Sequence, residues 1–151
     1  MKRLTTNVKI EASPETVWKT LMDFDSYPEW NSFIRSIEGE KHVGGRLKAT
    51  LHPPDGKAMM FKPTVIRADE NKEFRWLGHL FIKGLFDGEH VFKIEKDENN
   101  SVNFIHEELF LGILVPLFSR MIDNKIKNGF NAMNAALKVR AEKSEAIKIN
   151  Q

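Results

Sequence analysis

One change of rhythm governs this sequence. From Phe118 onward apolar residues recur at every third or fourth position, whereas between Phe33 and Leu111 they alternate with polar residues or come in short blocks. Placed at about 100° per residue, Phe118, Ile122, Ile126, Gly129, Met133, Ala136 and Leu137 fall on one arc of a long helix. Arg120, Asp123, Lys127, Asn131, Asn134 and Lys138 fall on the other. Pro116 fits this helix only in its first turn, where its missing amide and its ring do no harm. Past Ala141 the apolar spacing decays, so residues 143–151 are expected to fray as a tail behind one domain at 1–142.

The elements before this helix are short. Residues 3–12 read as a strand with Leu4, Val8 and Ile10 on one side. Ser13-Pro14-Glu15 opens a helix: the serine can cap it, the proline needs no amide partner, and the glutamate suits the positive end of the dipole. Val17, Trp18, Leu21 and Met22 follow at helical spacing, and Pro28 then restricts Asp25 to Asn31 to a turn and a very short second helix. Strands are expected at Phe33–Glu40, Leu47–Leu51, Met59–Ala68, Phe74–Leu80, His90–Lys96 and Val102–Leu111, with turns at Gly44-Gly45, at Pro53-Pro54-Asp55-Gly56 and at 84–88. Connections this short favour an antiparallel meander over parallel crossovers. An antiparallel sheet with one apolar face must cover it, and the terminal helix is the only element long enough. A twisted sheet curling round one helix leaves space between them, and function is sought in that space.

Composition closes several alternatives. A chain of 151 residues is one domain in length, and with Cys 0 it has no disulfide, thiol nucleophile or cysteine metal site. Lys+Arg 23 against Asp+Glu 21 leaves +2, too even to argue for nucleic acid. No signal-like apolar stretch follows the N-terminus, and the most apolar region, Leu109 to Phe118, is interrupted by Gly112 and Pro116. Cytoplasmic residence with no transmembrane segment is the default expectation.

Ile10-Glu11-Ala12-Ser13-Pro14-Glu15-Thr16-Val17-Trp18, running into Asp23-Phe24-Asp25-Ser26-Tyr27-Pro28-Glu29-Trp30-Asn31, resembles the START-like (SRPBCC) superfamily, in its polyketide cyclase/dehydrase and lipid-transport-like branch. Gly84-Leu85-Phe86-Asp87-Gly88-Glu89-His90, Phe104-Ile105-His106-Glu107-Glu108-Leu109-Phe110 and Gly129-Phe130-Asn131-Ala132-Met133-Asn134-Ala135-Ala136-Leu137 extend the likeness to about residue 140. The resemblance implies an α+β helix-grip fold: a curved antiparallel sheet of about seven strands round a long C-terminal helix, with two short helices after strand 1. It also implies a cavity for a hydrophobic small molecule such as a lipid, a quinone or a polyketide. Relatives include carriers, cyclases and co-chaperone-like domains, so three readings stand: a binding or transport module, an acid–base enzyme, or a protein-interaction domain that could pair as a homodimer. No cofactor is implied.

The strand 102–111 carries the candidate chemistry. Val102, Phe104, His106, Glu108 and Phe110 share one face, and Asn103, Ile105, Glu107, Leu109 and Leu111 the other; apolar residues on both leave the inward face open. His90, Phe92 and Ile94 oppose a face holding Lys93 and Glu95, and so point inward. On a shared face His106 and Glu108 stand roughly 7 Å apart and could hold a polar ligand group or move a proton; a surface or cross-strand polar pair is the bland alternative. His106-Glu107 lacks the second imidazole of a zinc-binding helix, so no metal site is expected. Trp76, Phe92, Phe104, Phe110, Phe118, Ile122 and Met133 serve either as solid core or as cavity lining. Gly129 marks either a close approach of helix and sheet or ligand volume. Lys125 falls inside the apolar arc, and either carries its ammonium out to water or meets an acidic head group or Glu108.

Overall fold

The computed structural model describes residues 1–151. Eight strands and a long C-terminal helical segment form two layers: β1 (Lys2–Ile10), β2 (Ile34–Gly39), β3 (Leu47–Leu51), β4 (Met59–Phe61), β5 (Thr64–Asp69), β6 (Glu73–Leu80), β7 (Phe86–Lys96) and β8 (Val102–Leu111). Two short helices, α1 (Pro14–Met22) and α2 (Tyr27–Trp30), follow β1. The strands make antiparallel sheets ordered β1-β8-β7-β6-β5 and β2-β3-β4. The break lies within the stretch expected as one strand from Met59 to Ala68. Pro63 has no amide to give a ladder, so the strand ends before it, and its carbonyl accepts the Leu47 amide at 2.9 Å. With the Val65 amide on Gly45 at 2.9 Å, this contact stitches the sheets into one curved wall. β7 also starts earlier than expected, at Phe86, so the turn lies before it rather than at 84–88.

Local signals place α1. Ser13 Oγ accepts the Thr16 amide at 3.3 Å, and Val17 and Leu21 are fully buried on its inner side. Tyr27 ties the second helix back, its hydroxyl donating to the Leu21 carbonyl at 2.7 Å.

The C-terminal segment consists of α3 (Val115–Met121), a π-helical turn at Ile122–Ile126 and α4 (Lys127–Ile149). Pro116 sits in the first turn of α3. In the π turn the Lys127 amide reaches back to Ile122, which shifts the phase of everything after it. Within the stretch expected as a tail, α4 continues to Ile149, with Ala141 and Glu145 buried against the N-terminal elements. The Glu145 carboxylate accepts from Asn100 Nδ2 at 3.2 Å, from Ser13 Oγ at 3.3 Å and from Thr16 Oγ1. Burial works against its charge, but the hydrogen bonds from Thr16 and Asn100 outweigh it and hold the carboxyl below its usual range.

The open question of strand 102–111 is settled by packing. Val102, Phe104, His106 and Phe110 are buried on the inner face, whereas Glu107 points out and meets Arg3 at 2.7 Å. Gly129 marks close approach, not ligand space: a Cβ there would run into the Phe33 ring, which in turn meets Phe130 edge-on at 5.5 Å between centroids.

Candidate functional site

Where the sheets curl away from α3, the apolar side chains do not meet, and a cavity of about 90 Å³ remains. That is several times the roughly 10–15 Å³ a single water needs. Ala49 and Leu51 of β3, Met59 and Phe61 of β4, and Trp76 of β6 form one side. Phe86 and Phe110 stack obliquely at 5.6 Å and close one end together with Phe118, which meets Phe86 at 5.2 Å. Met121 and Ile126, from the two ends of the π turn, complete the helical side.

Two titratable side chains interrupt this lining, His90 and Glu108, which are direct partners across the β7–β8 ladder. Glu108 Oε2 stands 3.5 Å from His90 Nδ1. Gly88 makes room for the carboxyl, since a Cβ at that position would strike Glu108 Oε1. Behind the wall, His90 Nε2 lies 2.7 Å from His106 Nε2, and His106 Nδ1 lies 3.0 Å from Asn134 Oδ1. Asn134 Nδ2 donates to Thr6 Oγ1 at 2.9 Å, and the threonine donates to the His106 carbonyl at 3.3 Å. Aromatic faces clamp both imidazoles: Trp76 stacks on His90 at 4.8 Å and Phe130 on His106 at 3.7 Å.

Burial sets the charges. It pushes His90 down to about 3 and Glu108 up to about 8. His106 is held well below the usual imidazole range, first by burial and then by its neighbour His90, and the hydrogen bonds to Asn134 and the Phe130 main chain offset only part of this. Near neutral pH the site therefore holds two neutral rings and a protonated carboxyl. The direction of the hydrogen bonds follows. Thr6 has one hydrogen, committed to a carbonyl, so it accepts from the Asn134 amide; the Asn134 oxygen then faces His106 and requires Nδ1–H there. That leaves His106 Nε2 to accept from His90 Nε2–H, and His90 Nδ1 bare towards Glu108.

The family comparison falls on the same ground. The model for polyketide cyclase / dehydrase and lipid transport proteins matches residues 1–142. The chain belongs to that family. A search of curated protein sequences finds no match. Solved structures with this fold include a START superfamily protein from Mycobacterium smegmatis, at 20% identity and TM-score 0.74, covering 94% of this chain and 98% of that one. The Zhui aromatase/cyclase from Streptomyces sp. R1128 aligns at 12% identity and TM-score 0.76, over 94% of each chain. A norcoclaurine synthase point mutant from Thalictrum flavum aligns at 15% identity and TM-score 0.71, over 95% of each. At such identities the likeness is one of fold, a helix-grip.

Within this polyketide cyclase-like chain, Trp76, His90, Glu108, Phe110 and Phe118 reach the cavity. Seven other candidates do not. Phe92, Phe104 and Met133 are fully buried in solid core, and His106 lies behind His90. Ile122 is buried in the same core, off the cavity wall, and Gly129 is packed on Phe33. Lys125 is exposed and donates to the Asp55 carbonyl at 2.8 Å, because the π turn rotates it off the apolar arc. Ile126, expected on the apolar arc, does reach the cavity, and Asn134, placed on the solvent arc by sequence, is buried with Thr6 and His106 as partners. Gly78 and Gly88 line the wall too; Gly88 falls in the stretch expected as a turn at 84–88, and no sequence pattern singles out Gly78. No group of three or more His, Asp or Glu side chains is arranged to hold a metal ion, and no helix is long and apolar enough to cross a membrane.

Proposed function

We propose that this protein binds or carries a hydrophobic small molecule, of lipid, quinone or polyketide-like size, in the cavity between sheet and C-terminal helix. The observation that carries this reading is the shape of the packing: in a fold of close-packed layers, side chains of β3, β4, β6–β8 and α3 surround an apolar hollow that none of them fills. The family assignment, with its cyclase and lipid-transport members, supports it. Native mass spectrometry of freshly purified protein tests it, together with uptake of the neutral fluorophore N-phenyl-1-naphthylamine. A retained mass or saturable fluorescence is expected; neither would mean that the hollow does not receive ligands.

A second reading, an acid–base enzyme of the cyclase or dehydratase kind, is favoured by the carboxyl and imidazole that share the cavity wall. The pair facing the space is His90 and Glu108, in place of the His106 and Glu108 expected from sequence. Loss of turnover of a cyclisable polyketone in Glu108→Gln, with the fold intact, is its test. The partner-binding reading, including a homodimer, draws on exposed Phe81, Ile82, Ile113 and Leu117 in two segments joined by the Leu114 amide on the Leu85 carbonyl at 2.9 Å. Phe81→Ser with Ile82→Ser would abolish self-association in sedimentation experiments if that patch is an interface.

A further inference from the structure

We propose that the cavity selects a neutral apolar molecule bearing a hydroxyl group, an alcohol or a phenol, and turns away carboxylates. This deepens the binding reading above and rests on it. The argument is one of hydrogen-bond polarity. The chain from Thr6 through Asn134, His106 and His90 runs in one direction and ends at a bare His90 Nδ1, a pure acceptor. Beside it, 3.5 Å away, stands the Glu108 carboxyl, which in its neutral form supplies a donor. At that separation the two groups do not bond each other well, so both remain available to a ligand.

A hydroxyl is the smallest group that answers both, giving its hydrogen to His90 Nδ1 and receiving one from Glu108. A ketone answers only the donor. A hydrocarbon leaves both groups unpaired in an apolar hollow. A carboxylate brings only acceptors, sets one of them against the ring nitrogen's lone pair, and finds no cation. Opposite Glu108, β1 presents Leu4, β7 presents Gly88 and His90, and the rest of the wall is hydrophobic, glycine or proline and carries no charge. Lys125, the cation that the sequence places on this arc, donates outward to the Asp55 main-chain carbonyl.

Three probes of one shape test this by displacement of N-phenyl-1-naphthylamine at about pH 7: 2-naphthalenemethanol, 2-methylnaphthalene and 2-naphthoate. The alcohol is expected to bind about tenfold more tightly than the hydrocarbon, the value of one well-made hydrogen bond, with the naphthoate weakest. Glu108→Gln keeps a donor and should keep the order; Glu108→Leu should narrow the gap between alcohol and hydrocarbon, His90 Nδ1 still accepting the hydroxyl, while still taking up the fluorophore. Fluorophore uptake with naphthoate equal to or tighter than the alcohol overturns the selectivity and leaves the cavity reading standing. Failure of the wild type to take up the fluorophore at all overturns both. A ligand-free readout is ¹⁵N NMR of the two buried rings, which should show His90 protonated on Nε2 and His106 on Nδ1; the reverse pair of tautomers overturns the polarity on which the inference rests.

Discussion

His90 and His106, from adjacent strands, hold their Nε2 atoms 2.7 Å apart with no water between them, so one ring must donate and the other accept. Two charged imidazoles could not share that spacing. This contact couples the cavity wall to Asn134 and Thr6, and its protonation has a measurable consequence.

Stability should peak near the ordinary histidine range, about pH 6.5. His90 falls from 6.5 to about 3 on folding, so the stability it contributes is present above 6.5 and is lost as pH drops towards 3. His106, depressed in the same direction, steepens that loss. Glu108 rises from 4.5 to about 8, so the folded state holds a proton that the unfolded chain has shed, and stability falls as pH climbs from 4.5 to 8. Above 6.5 only this carboxyl acts. Melting temperature scanned against pH should show a maximum with an alkaline decline that levels off near pH 8, and Glu108→Gln should flatten the decline. A monotonic rise through pH 8 would contradict the assignment.

Gly88→Ala should damage the site more than the fold. The added methyl displaces only the far end of the Glu108 side chain, which is flexible, so the stability cost should stay near 1 kcal/mol or below. The displaced carboxyl enters the cavity or leaves His90, and displacement titrations should then show weaker binding of apolar alcohols. Unchanged affinity would mean that Glu108 takes no part in holding them.

Gly129→Ala sets two effects against each other. Helix propensity gains about 1 kcal/mol, but the methyl meets the Phe33 ring, which is buried and braced by Phe130. Overpacking of this kind costs about 1–3 kcal/mol, so net destabilisation is expected in chemical denaturation. A stabilised variant would show that the helix and β2 region have slack between them.

Glu145→Ala should release the end of α4. It removes the acceptor shared by Ser13, Thr16 and Asn100, at a cost of about 1 kcal/mol or slightly more. Amide hydrogen exchange should accelerate across 141–149 while β7 and β8 stay protected. Uniform acceleration throughout the molecule would instead place Glu145 in the global folding unit.

The element order was legible because each element carries its own local signal. Ser13 and Pro14 open α1, and Leu47, Ala49 and Leu51 alternate inward along β3. The sheet break at Pro63 has a local signal too, the missing amide, but the apolar run from Met59 to Ala68 masks it. Other features leave no local trace. A π turn depends on one hydrogen bond skipping a residue, so a projection at uniform angle puts Lys125 inside and Asn134 outside when each lies the other way. Asn134 meets Thr6 across 128 positions, and nothing at either site announces the other. Phe92 and Phe110 look alike in sequence; only the curl of the sheets decides that one fills core and the other walls the hollow.

The π turn at Ile122–Ile126 divides the C-terminal segment into two sections with separate allegiances. Phe118 and Met121 before it answer to the hollow, while Phe130, Met133, Leu137 and Glu145 beyond it are fixed by the core and the N-terminal elements. Because the turn absorbs one extra residue, deleting a single position there would close it into regular α-helix and leave both sections facing as they do. The side chains that wall the hollow can thus change on one side of the turn while the scaffold on the other side keeps its register.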